Sequence, residues 1–232
     1  MRMMTKGAAA CAALLGSACA QDALTSDRPG FSTSPSTVAQ GRLLIEAGLD
    51  LAEGGTFTAP LALVRYGVGP DTEVRAGWSG LALDGAGADG LGGSVEVKHT
   101  LGSGQRGATG LLLTATLPPS GGVDPSAGFL WTRGLGPASL FGTATVGRPE
   151  ADGDRRWVGT NAVGVSGSLS ERVGVFAEHF VSVTEGPGAA RHVIDAGLTY
   201  LVTNDLQLDL TAGVGVGGGA GDFVGAGIAR RF

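Results

Sequence analysis

The sequence predicts an all-β fold: a closed, antiparallel, up-and-down transmembrane β-barrel of about twelve strands. Three observations carry this expectation. Segments of roughly ten residues alternate in character and then break at Gly, Pro, Asp or Asn, the two-residue period of strands joined by turns. Glycine supplies 43 of 232 residues and is spread through the chain, which penalises helix interiors. The last ten residues alternate up to a C-terminal Phe232, with Ile228, Ala226 and Val224 on one face (and Arg230 a polar misfit among them) and Arg231, Ala229, Gly227, Gly225 and Phe223 on the other. No apolar run approaches the ~18 residues of a membrane-spanning helix.

Taken in chain order, residues 1–20 read as a cleaved export signal. Arg2 and Lys6 flank a positive start, Gly7 to Gly16 is a small apolar stretch, and Ala18-Cys19-Ala20 is a cleavage site that leaves Gln21 first. The competing reading, lipidation at Cys19, lacks the leucine usual three residues ahead of such a cysteine. Both cysteines, Cys11 and Cys19, fall in this signal, so the exported chain uses no disulfide for stability. Removing Arg2 and Lys6 from 16 basic residues leaves 14 against 21 acidic ones, a net charge of −7. That balance argues against nucleic acid as a partner and supplies no basic patch for anionic membrane surfaces. Residues 21–40 follow as an irregular segment, poor in both helix and strand signals, with two prolines, four Ser and two Thr between Ser26 and Val38. It is expected at the periplasmic mouth of the barrel, with a disordered tail the alternative.

Residues 41–232 form the expected barrel. Its segments are 41–51, 56–66, 72–82, 91–101, 108–117, 126–133, 138–147, 157–168, 173–183, 191–202, 206–216 and 223–232. The number is even, as single-chain bacterial barrels require. The eleventh is the clearest: Leu206, Leu208, Leu210, Ala212, Val214 and Val216 oppose Gln207, Asp209 and Thr211. With both termini periplasmic, connections after odd segments are longer on average than those after even ones, the expected asymmetry of outer loops and inner turns. Phe57, Tyr66, Trp78, Trp131, Trp157, Tyr200 and Phe232 lie near segment ends, where aromatic girdles sit at the membrane interfaces.

Two stretches then point to a family. A final strand ending in Phe232 looks like the terminal signature that the barrel-assembly machinery reads in outer-membrane barrels. The element Asp27-Arg28-Pro29-Gly30-Phe31-Ser32, followed by a first strand with Glu46-Ala47-Gly48, resembles the outer-membrane transporter family named for the MetA pathway of phenol degradation. Arg65-Tyr66-Gly67, Glu73-Val74-Arg75, Asp195-Ala196-Gly197-Leu198-Thr199-Tyr200 and Leu206-Gln207-Leu208-Asp209 extend the resemblance over most of the exported chain. It implies passive or facilitated passage of small solutes, hydrophobic or aromatic ones among them. The ending Ala229-Arg230-Arg231-Phe232 departs from the family, which more often has an aromatic or apolar residue at position 230.

Lipid-facing charge costs roughly 2–4 kcal/mol at mid-membrane for Arg or Lys, so strand charges are expected to point inward. The lumen-lining candidates are Arg42, Glu46, Asp50, Arg65, Glu73, Arg75, Glu96, Lys98, Glu178, Asp195, Asp209 and Arg231. They describe either a water-bearing path whose charges select solutes or an ion-pair network that fills and closes a narrow lumen. A membrane-embedded lipid hydrolase is the weaker alternative: His99, His179 and His192 have no nucleophile placed by spacing. A soluble exported β-domain would need no aromatic girdle. No metal-ligand spacing appears. The two G-x-G-x-x-G matches, Gly85-Gly87-Gly90 and Gly213-Gly215-Gly218, precede no helix and read as turns. No catalytic residue, cofactor or metal is assigned. The expected partners are outer-membrane lipid, the assembly machinery and a small-molecule solute.

Overall fold

The structure, a computed structural model, describes residues 23–151 and 153–232. The expected signal at 1–20 lies outside the described residues, as do Gln21 and Asp22. Twelve long strands make the barrel: β1 (Leu43–Ala52), β2 (Phe57–Gly69), β3 (Thr72–Trp78), β6 (Gly93–Gly104), β7 (Gly107–Leu117), β8 (Asp124–Leu135), β9 (Ala138–Gly147), β12 (Val158–Ser168), β13 (Val173–Thr184), β14 (Arg191–Thr203), β15 (Leu206–Gly217) and β16 (Phe223–Arg231). Each pairs antiparallel with the next, and β16 returns to β1 with Leu44 opposite Arg231 and Ala52 opposite Phe223, so the sheet closes. Two short hairpins stand in the loops: β4 (Leu81–Asp84) with β5 (Gly87–Gly90), and β10 (Glu150–Ala151) with β11 (Asp154–Arg155).

The expected third segment, 72–82, is split. β3 stops at Trp78 because Gly80 takes φ +91, a backbone conformation that turns the chain out of the wall. Residues 81–90 then fold as the β4–β5 hairpin, with β4 paired to the start of β2.

Alternation decides what each face meets. Outward positions carry Ile45, Val64, Val95, Leu113, Phe129, Val146, Val163, Ile194, Leu210 and Val224, all substantially exposed. A water-soluble protein would bury such a belt; hydrocarbon is the solvent that suits it. Tyr66, Trp78, Trp157, Tyr200 and Phe232 sit exposed at the strand ends. Phe232 is tied to the first strand through N–H to the Leu43 carbonyl at 2.8 Å, and Arg230 lies over its ring, 4.9 Å from the centroid. The cation thus stays at the rim on its aromatic neighbour.

The termini and short turns mark one end of the barrel, the turn end; the longer connections mark the loop end. Residues 23–40 enter and leave at the turn end. Leu24 N–H donates to the Asn204 carbonyl at 2.8 Å, and Gln40 forms an isolated bridge with Gly67. Leu24, Val38, Leu44 and Ala229 cluster there, buried. Between these anchors the segment does not stay at the mouth. It runs into the lumen, because its peptide groups and charges find partners on the inner wall and nowhere else in an apolar barrel.

Candidate functional site

The site is the inner loop 25–38 and the wall it meets. Four adjacent strands put charges on the inward face by parity: Glu46 from β1, Arg65 from β2, Glu73 and Arg75 from β3, Glu96 and Lys98 from β6. Glu73 stands opposite Lys98 and Arg75 opposite Glu96. Arg65, however, stands opposite Arg75, a like-charged cross-strand pair, which is destabilising unless a counter-charge reaches it. Asp27 of the inner loop is that counter-charge. Its Oδ2 lies 3.3 Å from Arg65 Nη1, 3.3 Å from Arg75 Nη2 and 3.1 Å from Lys98 Nζ.

Arg65 is the hub. It is fully buried, with Nη1 at 2.8 Å from Glu46 and Nε at 2.9 Å from Glu73. Its remaining N–H groups donate to the carbonyls of Thr25 at 3.0 Å and Ser36 at 3.3 Å, so one side chain holds both limbs of the loop. Glu46 accepts from the amides of Asp27 and Arg28 and from Ser26 Oγ. Glu73 accepts from the Val38 amide at 2.6 Å. Lys98 donates to the Ser34 carbonyl and Thr100 to that of Pro35.

The opposite wall holds the tip. Glu178 on β13 accepts the Phe31 N–H and, at 2.6 Å, the Ser32 hydroxyl. Thr143 on β9 accepts the Thr33 amide at 2.9 Å and donates to the Thr33 carbonyl. Arg28 reaches Asp209 at 3.5 Å and the Ala226 carbonyl at 3.2 Å. Its guanidinium fits only because Gly48 and Gly227 face each other across β1 and β16; a Cβ on either would fall on it. Gly30 takes φ +101, and a Cβ there would lie 2.5 Å from the Glu178 carboxylate. The Phe31 ring stacks on Phe180 at 4.2 Å and meets Phe223 edge-on at 5.8 Å.

These contacts place the remaining candidates. Asp50 lines a loop-end cavity. Asp195, buried opposite Glu178 on β14, has no hydrogen-bond partner on either oxygen. Arg42 and Arg231 sit apart from the cluster at the turn end, both against Asp205. The partners in the inner loop, and the inward aromatics Phe180 and Phe223, are what the sequence reading did not bring to this site. Parity placed both rings on the face of Glu178, and that was the available signal. Of the histidines, His179 and His192 meet on the outer face, 3.1 Å apart, and His99 bonds Thr72 Oγ1. Among the described residues no three His, Cys, Asp or Glu side chains converge as a metal site.

The inner loop divides the lumen. A cavity of about 410 Å³ opens toward the turn end between β8, β9, β12 and β13. Toward the loop end lie cavities of about 380, 300 and 220 Å³, each touched by Phe31. Asp27, Arg28, Ser32 and Thr33 line both the 410 Å³ and the 220 Å³ cavities, so a single layer of chain separates the two ends.

Burial alone would raise the Asp27 carboxyl, but the charges of Arg65, Lys98 and Arg75 outweigh it and hold it below the usual carboxylate range. A lowered folded-state value contributes stability above the unfolded value of ~3.9 and loses it as pH falls through the folded one. Amide hydrogen exchange should therefore show the Ser34 amide, which donates to Asp27 Oδ1, as protected at about pH 4 as at neutrality, with loss only below the ordinary carboxylate range. Loss of protection near pH 5 would contradict the assignment.

Among solved structures, the chain is similar to a NanC porin, with a TM-score of 0.63 and 9% identity over 80% of this chain and 98% of that one. It is similar to the COG4313 outer membrane channel from Pseudomonas putida F1, with a TM-score of 0.62 and 10% identity over 88% and 100%. A KdgM porin, solved in complex with disordered oligogalacturonate, gives a TM-score of 0.59 at 8% identity over 82% and 99%. The fold is the closed antiparallel β-barrel that these outer-membrane proteins share. No protein-family profile matches the chain, and no curated protein matches it.

Proposed function

We propose that this chain is an outer-membrane channel for passive or facilitated passage of small solutes, hydrophobic or aromatic ones among them, and that residues 25–38 are its constriction. It sits with both termini in the periplasm, so the turn end faces inward and the loop end outward. One observation carries this reading: two cavities of solute size face opposite ends of the barrel and are parted by a single layer of chain rather than by a packed core. The porin and channel descriptions of its neighbours support the same reading. The resemblance of Asp27-Arg28-Pro29-Gly30-Phe31-Ser32 to the opening element of the transporter family named for the MetA pathway supports the same reading. The same saturated anchoring favours a second reading, a barrel that stays closed. Swelling of protein-loaded liposomes separates the two. A channel passes small uncharged solutes and excludes oligosaccharides. Swelling no faster than in protein-free liposomes, for every solute, would leave the closed barrel.

A further inference from the structure

One aromatic ring stands at both necks of the loop-end path. The cavities of about 380, 300 and 220 Å³ follow one another from the mouth inward. Glu53, Arg191 and Asp222 line the first, at the strand ends. Asp50, Thr58 and Thr211 line the second, and Glu46, Leu61 and Leu63 the third. The first two share Phe31, Ala52 and Phe223; the last two share Arg28, Gly30 and Phe31. Residues that line two adjoining cavities stand at the neck between them. Phe31 alone lines all three and is 39% exposed, so a solute in any of them can meet its ring. The rest of the inner neck leaves little to vary: Arg28 is fixed by Asp209 and the Ala226 carbonyl, and a Cβ on Gly30 would run into Glu178.

We propose that the Phe31 side chain is the size filter of this path, admitting compact single-ring solutes and holding back fused-ring ones. The ring is placed by apolar contacts alone, stacked on Phe180 at 4.2 Å and meeting Phe223 edge-on at 5.8 Å. The backbone beneath it is held separately. The Phe31 N–H and the Ser32 hydroxyl donate to Glu178, and the Thr33 amide donates to Thr143. Truncating the ring therefore leaves the loop seated and joins three small chambers into one. A closed, hydrogen-bonded wall with packed side chains does not stretch to admit a larger body, so the width of the necks selects by size. The chambers lie at or below the lower end of the volumes usual for small-molecule sites, which suits one compact solute at a time. The proposal deepens the channel reading by naming the residue that selects, and it rests on that reading only for the route of the solute.

The test is thiol labelling of the full barrel in nanodiscs. Thr58→Cys reports from the second chamber and Leu63→Cys from the third. The reagents are methanethiosulfonates carrying a methyl, benzyl or naphthylmethyl group, each rate normalised to that with free cysteine. With Phe31 present, the naphthylmethyl reagent should react about tenfold more slowly than the methyl one at both positions, the scale of a ring clashing with a fixed wall. Phe31→Ala should remove the penalty at both positions. Phe223→Ala, which widens only the neck nearer the mouth, should remove it at Thr58→Cys alone. Equal labelling by all three reagents with Phe31 present would overturn the proposal, as would a penalty that survives Phe31→Ala. Amide exchange at Thr33 and Ser34 checks that the loop keeps its place. Relief of the penalty only with loss of that protection would assign the filter to the loop as a whole and overturn the role of the ring. Liposome swelling is read separately. The predicted labelling with no swelling removes the channel and leaves the filter, whereas swelling with no size penalty removes the filter alone.

Discussion

Replacing Arg65 with Ala should cost the barrel more than any other single substitution in the lumen and should also loosen the inner loop. Arg65 is fully buried and contacts Glu46, Glu73 and Asp27, all carboxylates of buried or nearly buried side chains. Removing one partner from a buried network leaves uncompensated charge and typically costs about 3–5 kcal/mol. The same change deletes donors to the Thr25 and Ser36 carbonyls, so both limbs of the loop lose a tether. The heat-modifiable transition on gels should move down, and conductance in planar bilayers should rise. Arg65→Lys keeps the charge but not the fork geometry, so it should fall between. Wild-type thermal behaviour in Arg65→Ala would show that the hub does not bear on stability.

Deleting residues 23–37 should leave a folded barrel with a much larger conductance. The wall itself is balanced: Glu46, Glu73 and Glu96 face Arg65, Arg75 and Lys98. Loss of Asp27 therefore removes one bridge between the two arginines but does not strand a net charge on that wall. Closure of the sheet runs through β1 and β16 and does not involve the deleted residues. What the deletion removes is the layer shared by the cavities at the two ends. Arg42, Val38 and the Gly41 link to Gly67 remain to start β1 in register. Restoring Ser26 to Ser36 alone should bring the conductance back down. An unchanged conductance in a folded deletion variant would mean that the constriction lies elsewhere.

The strands were legible because a barrel wall has one apolar and one polar face, and β15 writes that contrast residue by residue from Leu206 to Val216. The exception, the end of β3, turned on the backbone of Gly80, which carries no hydropathy signal. Parity likewise put Arg65, Glu73, Lys98 and Glu178 on the inner face. It could not say what they hold. Their partners Asp27, Phe31 and Ser32 lie in a segment without period, up to 147 residues away from Glu178, and periodicity specifies a face but not a distant partner. The composition of that segment was nonetheless a signal. Ser26, Asp27, Arg28, Ser32 and Thr33 offer hydrogen-bonding groups at a density that a buried, charged wall can absorb and an apolar mouth cannot.

A disulfide between Thr33→Cys and Thr143→Cys tests most directly whether the inner loop sits on the path of the solute. These residues already share two hydrogen bonds across the lumen, and the sequence has no other cysteine beyond Cys11 and Cys19. Liposome swelling should slow to the protein-free rate when the pair is oxidised and recover when it is reduced. Equal swelling in both states, with the cross-link confirmed by mass, would contradict the account.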